Sequence, residues 1–157
     1  MYEIDMTAAN KLPTRGEELF RIFSRFEYAL KEIGYAAPGK RNDEVEVSWD
    51  QFVTDRLGHG FFQRVIDEEI APTISSNPPK RQVVDGQTLE WRHTAPPKSA
   101  QDLFGAVRRV RNNLFHGGKA GDPDADRNTE LVSEAISVLM EALKAGGDIR
   151  DPFEGRW

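Results

Sequence analysis

Apolar residues in this chain return every three or four positions in separate blocks, each closed by glycine or proline. That rhythm specifies helices and leaves little room for a large sheet. Leu19, Phe23, Phe26, Leu30 and Ile33 form the first block. Thr14 opens it with Glu17 three residues on, a capping-box pattern, and Gly34 stands where a helix C′ residue would. Trp49, Phe52, Val53 and Leu57 follow Ser48 as a short stripe broken by Gly58 and Gly60, and Phe61, Phe62, Val65, Ile66 and Ile70 predict a third helix that Pro72 ends. Behind a Ser99 cap, Leu103, Val107, Val110 and Leu114 fall within about 60° of one another at 100° per residue. The last helix, over about 128–143, presents Leu131, Ala135, Val138, Leu139 and Ala142 inward before Gly146-Gly147.

Between these blocks the pattern changes. Residues 35–47 are polar, contain Pro38-Gly39 and read as a loop. Pro78-Pro79 and Pro96-Pro97 bracket a stretch in which Asp85-Gly86 separates two short runs, predicting a hairpin near 82–92. The tail 148–157 carries no periodicity and reads as irregular. The expected fold is all-α: an up-and-down helical bundle of four to five helices with a small β-hairpin insert, one domain over 1–157 with its core at about 14–145.

A chain of 157 residues can bury a core without staples, and this one has no cysteine to make them. Thiol catalysis, disulfides and Cys-ligated zinc are thereby excluded. Three histidines make a structural metal site a poor expectation, and no cofactor is expected. The acidic start Glu3-Ile4-Asp5 is unlike a signal peptide, and no run approaches the 18 apolar residues of a membrane span. The expected setting is cytoplasmic, with no membrane partner.

The net charge of −5 hides an asymmetry. Residues 1–75 carry nine Lys/Arg against fourteen Asp/Glu, and residues 121–157 carry four against nine, so each part is −5. Residues 76–120 carry eight basic side chains against Asp85, Glu90 and Asp102, a net of +5. Either this is a solvated, charge-balanced face, or it is a local patch suited to one phosphate-bearing ligand rather than to unselective coating of nucleic acid.

The densest part of that patch runs from Arg108 to Lys119. On the helical wheel set by Leu103, Arg108, Arg109, Asn112 and His116 fall between about 140° and 240°, and Arg111 lies near 80°, at the border of the buried stripe. Arginine offers a fixed fork of donors for phosphate oxygens, and histidine both accepts and donates a proton near neutral pH. The plainer alternatives are a solvated face, Arg108 and Arg109 paired with the acidic first helix, and a histidine that merely caps a helix C-terminus.

Arg111 to His116 resembles the R-x4-6-H motif of the HEPN superfamily, with a polar Asn112 directly after the arginine. Residues 20–35, Ser48-Trp49-Asp50 with Phe52, and the stretch from Pro78-Pro79-Lys80 to Trp91 are similar to a plasmid-type HEPN-like branch. The resemblance therefore covers most of 19–143. It implies a small helical bundle that dimerises and a metal-independent RNA endonuclease, in some members a toxin or an antiviral defence effector. It also implies roles: His116 as the base that activates the ribose 2′-hydroxyl, Arg111 as the phosphate clamp and Asn112 as the positioning residue. Arg108, Arg109 and Lys119 would bind substrate. The expected partners are RNA or a nucleotide, a second copy of the chain, and an antitoxin or regulatory protein. The alternative is a non-catalytic HEPN module that binds nucleotide, RNA or protein.

Arg111 and His116 project about 140° apart on one helix, so gripping a single phosphate calls for two copies of the motif face to face. The stretch Asp122-Pro123-Asp124-Ala125-Asp126 echoes a calcium loop, but Arg127 stands where glycine is required. His59 reads as a loop residue, His93 as an exposed hairpin side chain, and the direction of Glu27 is not fixed by its spacing.

Overall fold

The computed structural model describes residues 3–41, 43–117 and 124–156. It is mostly helical, with two small antiparallel hairpins. Helix α1 spans Gly16–Glu32, hairpin β1–β2 spans Ala36–Pro38 and Val45–Val47, and α2 spans Trp49–Phe52 before running on as a π-turn over Val53–Leu57. Helices α3 (Gly58–Asp67) and α4 (Pro72–Ser76) precede the hairpin β3 (Arg81–Asp85) and β4 (Thr88–Arg92). Helices α5 (Ala100–Phe115) and α6 (Ala125–Ala145) lead to a 3-10 turn, Gly147–Ile149, and to α7 (Arg150–Glu154).

The helical stripes became the core. Leu19, Phe23, Phe26 and Leu30 of α1, Leu103, Val107, Val110 and Leu114 of α5, and Leu131, Ala135, Val138, Leu139 and Ala142 of α6 are all buried. Helix α1 packs on α5, α6 and α7, and α5 packs on α3, α4 and α6. An aromatic layer sits beneath one face of α5. The Trp49 ring stacks on Phe26 at 5.1 Å, with Phe23 and Phe104 at 5.4 and 6.0 Å.

Several ends formed as their residues predict. Ser99 accepts the Asp102 N–H at 3.1 Å and starts α5. Gly34 (φ 98°) closes α1, with the Tyr35 N–H reaching back to the Leu30 carbonyl at 2.9 Å and the Gly34 N–H to Lys31. The β3–β4 hairpin turns at Asp85–Thr88 with Gly86 at φ 63°.

Other expectations are corrected. The capping box at Thr14 does not form, because a turn from Pro13 to Gly16 moves the helix start and leaves Arg15 as N-cap. Glu17 and Glu18 still occupy the first turn, where the dipole favours them. Residues 35–47 are not a plain loop: the exposed strands β1 and β2 pair from Ala36↔Val47 to Pro38↔Val45. Three residues per strand are too few for alternation to be legible. Gly58 and Gly60 open α3 rather than merely breaking a stripe, and His59 lies in that first helical turn, its ring 5.7 Å from Phe62. Pro72 does not terminate α3, which stops at Asp67; it takes the first position of α4, where a missing N–H is harmless.

The tail is not irregular. Ile149 and Pro152 are buried, and Arg25 of α1 donates from Nε to the Phe153 carbonyl at 2.9 Å and from Nη2 to the Pro152 carbonyl at 2.7 Å. A five-residue helix has no readable period, so this docking is a tertiary event. Gly146 permits the turn that leads there: a Cβ on it would lie 2.7 Å from the Ala142 carbonyl oxygen and 2.9 Å from Ile149.

Candidate nucleic-acid interface

Helix α5 crosses the aromatic layer so that its polar side forms the floor of a cleft of about 470 Å³. Arg108, Arg109, Arg111 and Asn112 line it, facing Glu27 of α1 and Trp49 of α2. Three guanidinium groups thus share one concavity, and each is held differently.

Arg111 lies over the Phe23 ring, its Cζ 4.6 Å from the centroid. Its Nε is buried and has no hydrogen-bond partner among the described residues. A cation–π contact orients a guanidinium through its face and leaves its terminal amino groups for a ligand. Arg108 donates from Nε to the Phe104 carbonyl at 3.3 Å, lies 3.7 Å from Asp50 and stands over Trp49 at 5.9 Å. Arg109 is half-buried, and among the described residues its side chain makes a long hydrogen bond, 3.5 Å to Thr94 Oγ1. Burial pulls its pKa below the ordinary arginine value, and the neighbouring Arg81 and Arg108 push the same way. A desolvated cation with cations beside it is an electrostatic demand for an anion.

Glu27 faces this cleft. Its Oε2 accepts the Trp49 indole N–H at 2.8 Å, which fixes both side chains. Trp49 and Thr94 were not among the sequence-derived site residues, and Glu27, whose direction its spacing leaves open, lines the cleft. Thr94 belongs to an irregular segment and left no signal.

His116 is elsewhere. It is the exposed C-cap residue of α5, its N–H bonded to the Asn112 carbonyl at 2.9 Å and its ring edge-on to Phe115 at 5.3 Å. It is not among the described residues that line the cleft. Phe115 beside it is 69% exposed and meets Phe20 of α1 edge-on at 6.4 Å. The structure therefore gathers Arg108, Arg109, Arg111 and Asn112 and leaves His116 outside. Lys119 lies outside the described residues. Asn113, next to Asn112, is a structural side chain: it is buried and donates from Nδ2 to the Lys80 carbonyl at 2.8 Å, tying α5 to the start of β3.

No group of three or more potential metal ligands gathers among the described residues. Nor is any helix among them long and apolar enough to cross a membrane. The chain matches no protein-family model, no curated protein and no solved structure.

Proposed function

We propose that this chain is a HEPN-type, metal-independent RNA endonuclease that acts as a homodimer. The observation that carries the reading is the convergence of Arg108, Arg109, Arg111 and Asn112 on one cleft, with Arg111 Nε unpartnered and Arg109 without a carboxylate among the described residues. The fold reading that goes with it is an up-and-down bundle of four to five helices built on α1, α3, α5 and α6.

RNA carries its own nucleophile, so a positioned base and a preorganised cation are sufficient catalytic machinery. His116 takes the 2′-hydroxyl proton, and the freed oxygen attacks the adjacent phosphorus. The 5′-oxygen leaves and takes up a proton, giving a 2′,3′-cyclic phosphate. Arg111 stabilises the charge on the pentacoordinate phosphorus, and Asn112 positions the phosphate. Because His116 is displaced from its own chain's cleft, the base facing each scissile phosphate comes from the second copy. The exposed Phe115, adjoining His116 and Phe20, supplies apolar surface for that pairing. A role as toxin or defence effector, restrained by an antitoxin or regulatory protein, is compatible with such an activity.

The second reading, a binding module without catalysis, is favoured by one observation, the absence of His116 from the cleft lining. One assay separates the two: RNA incubated in EDTA with wild type, His116→Ala and Arg111→Ala. Cleavage by wild type alone, leaving cyclic-phosphate ends, is the expected result. Binding without cleavage of total RNA, tRNA and oligonucleotides by all three proteins would overturn the enzymatic reading in favour of the module.

A further inference from the structure

A second cleft of about 490 Å³ adjoins the first, and the two share Gly105, Arg108 and Arg109. Its far wall is the segment after β4, with Thr94, Pro96, Pro97 and Lys98. That volume lies within the range of roughly 300–1,000 Å³ typical of ligand pockets. The two clefts form one groove along the polar side of α5, open past Gly105.

Two features of this groove, Arg109 and Gly105, have no evident structural use. Arg109 is half-buried at its centre with no carboxylate partner among the described residues. Thr94 Oγ1 donates to the Pro79 carbonyl at 3.0 Å, so its lone pairs, not its proton, are what it offers Arg109. Gly105 sits inside a helix, where glycine is disfavoured, yet a Cβ there would meet nothing nearer than Arg108 Nη2 at 4.0 Å. Packing does not demand glycine at this position, and its missing side chain leaves the groove floor clear. The acidic side chains of the second cleft are already engaged. Asp102 Oδ2 accepts the Lys98 backbone N–H at 3.1 Å, the Asp102 backbone N–H donates to Ser99 Oγ at 3.1 Å, and Asp50 lies 3.7 Å from Arg108.

Resting on the RNA reading above, we propose that the second cleft carries the single-stranded RNA that flanks the cleaved bond. Arg109 and Lys98 hold the next phosphate, and the Pro96–Pro97 segment faces the neighbouring base. Substrate is then an unpaired strand of several nucleotides rather than a mononucleotide, in keeping with a narrow basic groove on an acidic protein.

The test is competition binding to the full-length protein by 2′-O-methyl tri- and hexanucleotides, which lack the attacking hydroxyl. Wild type is expected to bind the hexamer about tenfold more tightly than the trimer, the worth of one added charge-assisted contact. Lys98→Gln and Arg109→Gln should remove that gain and lower the salt slope by about 0.7 for each lost phosphate contact. Gly105→Leu should also remove it by filling the floor, while a thermal melt reports an intact fold. A full length-dependent gain in all three variants would overturn the strand path and leave the RNA reading standing. Failure of both lengths to bind wild type would overturn the RNA reading as well. Competition by an acidic hexapeptide as strong as that by the hexanucleotide would overturn the assignment of the groove to RNA.

Discussion

Replacing Arg111 with methionine separates a functional arginine from a structural one. The Arg111 Nε is buried without a partner, and an unsatisfied buried donor disfavours the folded state by about 1–3 kcal/mol. Against that, its guanidinium lies 4.6 Å from the Phe23 centroid, a contact worth about 0.5–2 kcal/mol. Methionine retains an unbranched stem over Phe23 and a thioether suited to an aromatic ring. The difference places the Arg111→Met protein between about 1 kcal/mol less stable and about 2.5 kcal/mol more stable than wild type. For a chain of this size that is a melting temperature between roughly 4 °C lower and 10 °C higher. Cleavage should meanwhile fall by about 10²–10³, the usual effect of losing one charge-stabilising donor. The assay pairs a circular-dichroism melt with RNA cleavage in the same buffer. A fall in melting temperature beyond about 6 °C would make Arg111 a structural brace. Undiminished cleavage with an intact fold would refute its role as the phosphate clamp.

The remaining predictions concern charge and the docked tail. Inorganic phosphate should raise the melting temperature of wild type by relieving the unmatched charge at Arg109, and Arg109→Gln should lose most of that gain. Arg25→Ala should destabilise the fold by about 2 kcal/mol, because two tail carbonyls lose charge-assisted donors; equal melts would show that α7 docks by apolar contact alone. Burial raises the Glu141 carboxyl, but hydrogen bonds from Arg64 and Lys144 outweigh it and hold the pKa below the usual range. Its contribution is therefore present above the ordinary glutamate range and lost as pH falls through the lowered value. Glu141→Gln should flatten the acid limb of a stability profile by no more than about 1 kcal/mol, since Arg64 is 39% exposed.

What could be read without coordinates follows from local periodicity. The stripes of α1, α5 and α6 are long enough that each helix is specified by its own residues, and their caps at Ser99 and Gly34 are local hydrogen-bond chemistry. The arginine face of α5 follows from the same wheel, which is why Arg108, Arg109 and Asn112 were placed on its polar side. Short elements escaped for the converse reason. Three-residue strands and a five-residue helix contain less than one diagnostic period, and β1, β2 and α7 form only because neighbours complete them.

Local periodicity and turn chemistry are enough to specify a mostly helical chain, the hairpin at Asp85-Gly86 and a basic helix face ending in a histidine. Which of those charges meet is set by packing between elements. Packing α1 and α2 against α5 turned Glu27 and Trp49 toward Arg111, and the segment after β4 half-buried Arg109 beside Arg81 and Arg108. It also left His116 at the far end of its helix. A wheel gives the angle of a side chain about one axis, but whether two charges share a cleft depends on how separate elements are brought together by burial of their apolar faces.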